Sequence, residues 1–142
     1  METATTNELA ARLRRGVTRL NRRLRSSSLG GITPAQASML SSVETLGNPT
    51  LGELAAREQV QPPSLTRLVR VTETQGLITC TRDPDDRRST RVRLTAAGRR
   101  ELGAIRRRKT EFLEQRLHAL SSEDMKKARE LADFLDVLLE EG

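Results

Sequence analysis

Residues 82 to 98 read Arg-Asp-Pro-Asp-Asp-Arg-Arg-Ser-Thr-Arg-Val-Arg-Leu-Thr-Ala-Ala-Gly, and from Arg82 to Arg100 seven arginines stand against three aspartates. Guanidinium groups at that density suit phosphate oxygens and the electronegative grooves of a nucleic acid. Their spacing predicts a β-hairpin. Leu77 to Thr81 is rich in β-branched residues, Arg91-Val92-Arg93-Leu94 alternates charge with apolar bulk, and Asp83-Pro84-Asp85-Asp86 between them has turn chemistry. Val92 and Leu94 are expected on a buried face and the two arginines on the other. A surface hairpin can also carry charge simply as a solvated edge. The segments before it favour a finger that reaches a DNA groove.

Two short helices must position that finger. Thr50-Leu51-Gly52-Glu53 has the Thr-x-x-Glu form of a capping box, opening a helix in which Leu51, Leu54 and Ala55 share a face. Val60 is expected to pack at the following turn. Gln61-Pro62-Pro63-Ser64 then starts a second helix, since two prolines fit a first turn, where their missing N–H groups cost little. Leu65, Leu68, Val69 and Thr72 recur at helical spacing toward a core, leaving Gln61, Ser64, Thr66, Arg67 and Arg70 on or near the other side. Gly76 ends the helix and passes the chain to the strand at Leu77. Arginine can pair with guanine, glutamine with adenine and hydroxyls with phosphate oxygens, so this face could read base edges. A helix pair alone is weak evidence, because such pairs are common.

The series is more specific than its parts. Gly31-Ile32-Thr33-Pro34-Ala35-Gln36, the helix pair, Pro63-Ser64-Leu65-Thr66-Arg67-Leu68-Val69, Gln75-Gly76-Leu77-Ile78, Asp83-Pro84-Asp85-Asp86-Arg87-Arg88-Ser89 and Leu94-Thr95-Ala96-Ala97-Gly98 follow one another in a fixed order. In this order and spacing the chain resembles the MarR family of winged helix-turn-helix regulators over nearly its whole length. The resemblance implies a mainly α fold with a two-stranded β-wing and N- and C-terminal dimerisation helices. It implies one domain over 1–142, with 1–30 and 100–142 dimerising and 33–98 reading DNA. The expected partner is a pseudo-palindromic operator in double-stranded DNA, bound by a homodimer with the helix Pro62 to Gln75 in the major groove and the wing in the adjacent minor groove. The family's Asp-x-Arg pair falls on Asp86 and Arg88, which implies an arginine inserted in the minor groove and held by the aspartate. Arg87 and Arg91 are expected phosphate contacts, and Pro63 joins the DNA-facing set at the start of the recognition helix.

Composition agrees with a chain that needs a partner surface. Charged residues make up 31% of the 142 residues against 35% hydrophobic, with no Trp or Tyr and a net charge of +6. Arg12 to Arg25 holds seven arginines and no acid, whereas Ser121 to Gly142 holds seven acidic and three basic residues. The N-terminal arginines are expected on a solvated helix face, or paired with the acidic last helix of a partner. Leu9, Leu13, Val17, Leu20 and Leu24 form an apolar stripe in the first helix; Met125, Ala128, Leu131, Ala132, Leu135, Leu138 and Leu139 form one in the last, capped by Ser121 or Ser122. A long helix starting near Thr95 joins the wing to these ends, with Leu102, Ile105, Phe112, Leu113 and Leu117 as its apolar positions. Its basic run, Arg106 to Lys109, is expected to face solvent or an acidic neighbour.

The resemblance also implies release from DNA by a small amphipathic or aromatic effector. Val17, Leu20, Met39, Val43 and Phe112 are candidates to line its pocket, although apolar residues at helical spacing are more often core. The lone Cys80 reads as a small core residue, with a thiol acidified by nearby arginines and a thiol-based redox-sensing regulator as an alternative. His118 has no Cys or His partner at metal spacing, so no metal is expected, and no cofactor. No constellation points to catalysis. No apolar stretch is long enough to span a bilayer, and arginines interrupt the first twenty residues, so a cytoplasmic protein is expected. A different class of function is also open: an architectural nucleoid-type protein that coats DNA with little sequence preference.

Overall fold

A computed structural model describes residues 5–140. The elements run α1 (Thr6–Ser28), α2 (Pro34–Leu46), α3 (Leu51–Glu58), α4 (Pro62–Thr74), β1 (Ile78–Arg82), β2 (Thr90–Leu94), α5 (Ala96–His118) and α6 (Ser122–Leu139). The architecture is mainly helical with one two-stranded antiparallel sheet.

Helix starts follow hydroxyl caps. Thr5 and Thr33 each form a full capping box, with Glu8 and Gln36 returning to the cap's own N–H. Thr50, in contrast, accepts from the Glu53 amide at 3.1 Å without the reciprocal bond, so only half of the expected box forms. Thr95 and Ser121 cap α5 and α6 in the same one-sided way.

The core lies between α2, the α3–α4 pair and the sheet. Met39, Leu40, Val43, Leu54, Leu65, Val69, Ile78, Val92 and Leu102 are all buried there. Gln36 is also buried, and its amide carries much of the polar connectivity. Its Oε1 accepts from the Thr33 amide at 3.0 Å, and its Nε2 donates to Thr72 Oγ1 at 3.1 Å and to Gln75 Oε1 at 2.6 Å. The start of α2 is thereby fastened to the end of α4.

α1 packs along α5. Arg108 of α5 donates to the Ser28 carbonyl at 3.0 Å, and Arg106 pairs with Glu44 of α2 at 2.7 Å. The basic run of α5 is therefore divided between internal partners and solvent. The other faces of the terminal helices are open. Leu9, Leu13, Val17 and Leu20 are exposed, α6 has no buried residue, and Leu131, Leu135 and Leu138 face outward.

Candidate nucleic-acid interface

α3 ends in a left-handed residue, Gln59 at φ 54°, and the Val60 amide then donates to the Ala55 carbonyl at 3.2 Å. This tight reversal aims the chain into α4. It also leaves Val60 at the surface, 38% exposed, where sequence reasoning expected it to pack. Gln61 is the N-cap of α4 but makes no side-chain capping bond, and Pro62 and Pro63 fill the first turn. Leu65, Val69 and Thr72 turn inward and Leu68 is half-buried; Gln61, Pro63, Ser64, Thr66, Arg67 and Arg70 are exposed. The Thr66 hydroxyl donates to the Pro62 carbonyl at 2.9 Å, which leaves its lone pairs free to accept. Among the described residues, neither Arg67 nor Arg70 takes part in an ion pair.

The wing follows directly. Gly76 adopts φ 79°, the Leu77 amide donates to the Thr72 carbonyl at 3.3 Å, and the chain enters β1. The sheet pairs Ile78 with Leu94, Cys80 with Val92 and Arg82 with Thr90. Val92 is fully buried and Leu94 half-buried, while Arg93 is exposed, as alternation predicts. Beyond Arg82 the loop is organised by aspartates. The Asp83 amide donates to the Ser89 carbonyl at 2.9 Å, the Asp85 amide to Asp83 Oδ1 at 2.9 Å, and the Ser89 amide to the Asp86 carbonyl at 2.9 Å.

At the tip, Asp86 Oδ1 accepts from both the backbone N–H of Arg88 at 3.1 Å and its Nε at 3.3 Å. The Arg88 side chain is 93% exposed, so its guanidinium is oriented by one carboxylate and otherwise offered to solvent. Arg87 is exposed beside it. Arg91 is placed differently. Its Nε donates to Asp83 Oδ2 at 2.9 Å and its Nη1 to the Asn48 carbonyl at 3.0 Å, so much of its donor set is already used. The bond from the Asp85 amide, together with Arg91, holds the Asp83 carboxyl below its ordinary 3.8 against the opposing effect of burial.

Cys80 corrects one expectation. Burial first, then the neighbouring Glu73 carboxylate, raise its thiol to about 11, the opposite of acidification by arginines. Glu73 is close because its Oε2 accepts from the Cys80 amide at 2.8 Å. His118 lies 3.5 Å from Glu114 one turn earlier in α5. Among the described residues no group of three or more His, Cys, Asp and Glu is placed to hold a metal, and no helix is long and apolar enough to cross a membrane.

The five residues expected to line a pocket do not meet in one cavity. Met39 and Val43 are sealed in the core. Leu20 and Phe112 share an open groove of about 520 Å³ with Leu113 and four arginines, Arg19, Arg22, Arg23 and Arg116, the last lying 4.8 Å over the Phe112 ring. Val17 is outside that lining and 57% exposed. A second crevice, about 380 Å³, opens between α1, α2 and α5, lined by serines and by Arg25, Arg57, Arg106 and Lys109. Sequence periodicity missed it because its lining is mostly polar.

Three likenesses bear on this geometry, beside a match of residues 32–90 to the MarR family model. An HTH-type transcriptional regulator of Mycobacterium tuberculosis is 35% identical over 137 residues, covering 94% of each chain. The structure of a MarR family protein from Bacillus stearothermophilus superposes with a TM-score of 0.74 at 27% identity, covering 99% of each chain. A mutant of S. aureus MepR, bound to an oligodeoxyribonucleotide, shares the fold at a TM-score of 0.72 and 20% identity, over 96% of this chain and 99% of that one. With the helix pair, the wing and these likenesses in agreement over nearly the full length, the chain belongs to the MarR family of transcriptional regulators.

Proposed function

We propose that this regulator reads a specific operator as a homodimer, with α4 in the major groove and the wing at the neighbouring minor groove. The observation that carries the reading is the α4 face. Gln61, Ser64, Thr66, Arg67 and Arg70 stand exposed without ion-pair partners among the described residues, next in sequence to a wing whose Arg88 is already oriented by Asp86. Amide, hydroxyl and guanidinium groups on one helix supply base-edge readout as well as phosphate contact. Arg88, held by a carboxylate, loses less freedom on entering a narrow A·T-rich groove, and Arg87 serves a phosphate.

Dimerisation through the segments 1–30 and 100–142 is supported by the exposed leucines of α1 and α6, too many apolar side chains to leave in water. Two reading heads, 33–98 in each copy, then meet half-sites about one helical turn apart, roughly 34 Å. Occupying the operator would exclude polymerase, a repressor's action. α5 runs from the foot of the wing to the dimer segment, and the crevice against α1 and α2 is where a small effector would alter the spacing of the heads.

Binding is tested by fluorescence anisotropy on the protein's own upstream intergenic DNA and on a scrambled duplex of equal length, at physiological salt. The expected outcome is a preference of ~10³ or more for the first, at two protomers per duplex. Equal and steeply salt-dependent binding to both would favour the architectural reading. Arg67→Ala should relax sequence preference, whereas Arg87→Ala should weaken all duplexes alike.

A further inference from the structure

Arg91 stands on the wing among residues whose guanidinium groups face solvent, yet its own is turned inward. Its side chain is 37% exposed against 93% for Arg88. Nε meets Asp83 Oδ2 at 2.9 Å, and Nη1 meets the Asn48 carbonyl at 3.0 Å. Asp83 is itself buried, 7% exposed, and both of its carboxylate oxygens are engaged, Oδ1 by the Asp85 amide. The Asn48 carbonyl belongs to the turn between α2 and α3, where Gly47 and Asn48 both adopt left-handed backbone, at φ 69° and 54°. The next carbonyl, that of Pro49, accepts from the Val92 amide at 2.9 Å, and Thr50 bridges to Arg91.

These contacts form a fixed joint. One side is the base of the wing loop, where Asp83 and Ser89 close on each other; the other is the turn from which α3 starts. Arg88 projects from the loop beyond the joint, held only by Asp86, so its position relative to α4 depends on the angle at which the loop leaves its base. Nothing else among the described hydrogen bonds ties loop 83–89 to the helix pair.

We propose that Arg91 is a positioning residue: through Asp83 and the Asn48 carbonyl it sets the angle of the wing loop against the helix pair, and thereby the reach of Arg88, without itself binding DNA. This rests on the operator reading above. It departs from the expectation that Arg91 is a phosphate contact, and the two differ in sign. Removing a carboxylate close to DNA ordinarily tightens binding, because it removes repulsion. If Asp83 acts through the joint, its loss must weaken binding although the protein becomes more positive.

The test uses the full chain and anisotropy on the upstream duplex and its scrambled control. Failure of the unaltered protein to discriminate between the duplexes would defeat the operator reading, and this inference with it, before any variant is compared. Given discrimination, Asp83→Asn is expected to weaken operator binding about tenfold, within the usual range for residues coupled through shared contacts. In an Arg88→Ala background the same change is expected to cost less than about twofold, because the group being positioned is gone. A general loss of folding would not depend on Arg88 in this way. Arg91→Lys keeps the charge, but one ammonium cannot reproduce the guanidinium fork, so it is expected to lose about fivefold or more. Asp83→Asn binding as well as or better than the parent, Arg91→Lys binding like the parent, or an undiminished Asp83→Asn effect without Arg88 would each overturn the proposal.

Discussion

Gly98 sits in the first turn of α5, where a side chain would point at the Leu77 carbonyl; a Cβ built there collides with that oxygen and also lies 3.4 Å from Leu94 Cδ2. The carbonyl cannot step aside cheaply. It accepts from the Thr95 amide at 3.1 Å, and the Thr95 hydroxyl donates to the adjacent Gly76 carbonyl at 2.6 Å, so the foot of the wing and the start of α5 are sewn together. For Gly98→Ala, better helix propensity should return about 1 kcal/mol. Overpacking costs ~1–3 kcal/mol, and the upper end applies because the obstacle is backbone. The net expectation is destabilisation by about 2 kcal/mol. Gly103→Ala is the internal control. It lies in the same helix, and its only near neighbour is the flexible end of Arg107 at 3.6 Å, so propensity should dominate and stabilise by ~0.5–1 kcal/mol. The two variants should then differ by about 3 kcal/mol, on the order of 10 °C in Tm. Urea and thermal unfolding at one fixed protein concentration would measure this, since the proposed dimerisation would make apparent stability depend on concentration. Equal stabilities for the two variants would show that the close approach of α5 to Leu77 is not what demands glycine.

Three further outcomes follow from the geometry. Gln36→Ala should cost ~1–3 kcal/mol in the same unfolding assay, because the Thr72 hydroxyl loses a partner in a buried setting and the Thr33 amide and Gln75 Oε1 each lose one in a partly buried setting; a cost below about 0.5 kcal/mol would mean water replaces the amide freely. Asp83 has a folded value below 3.8, so its contribution to wing order is fully present above about pH 5 and is lost as pH falls through the depressed value. The protection of the Asp85 and Ser89 amides against hydrogen exchange, relative to their intrinsic rates, should fall as pH drops below the ordinary 3.8 in the parent, and Asp83→Asn should show no such acid step. With its thiol raised to about 11, Cys80 is only about 0.1% thiolate at pH 8, so alkylation should be slow and peroxide should affect DNA binding equally in the parent and in Cys80→Ser; fast, stoichiometric alkylation at pH 7 would contradict the raised value.

The parts that were legible in the sequence are those whose cause is local. Pro62 and Pro63 at a helix start, Gly76 at its end and the alternation of Val92 and Leu94 with arginine each encode one element through its own neighbours, and all appear where that logic puts them. What escaped depends on distant partners. Arg91 and Arg93 look equivalent in the strand, yet only Arg91 finds a carbonyl 43 residues away. Gln36 looks like a helix-capping side chain, and half of its amide is that, but the other half crosses to α4. Met39 and Val43 have the same spacing whether they line a pocket or fill a core, and periodicity could not separate the two. The alternative of an acidified Cys80 rested on arginines close in sequence, whereas the groups that act on its thiol are its own burial and Glu73, whose carboxylate accepts from the Cys80 amide across the turn after α4.

The two-stranded wing also bears on solubility. A hairpin this small has two free edges, each able to template pairing with another chain. Here one outward amide at the centre of each edge is already taken, and Thr50 bridges to Arg91 along the β2 side. On the β2 side the Val92 amide is taken by the carbonyl of Pro49, a residue with no N–H to continue a ladder. On the β1 side the Cys80 amide is capped by a carboxylate from Glu73. Each edge is thus blunted at its centre, by a proline carbonyl on one side and a carboxylate on the other, so a strand arriving from a neighbouring chain would meet a donor already in use.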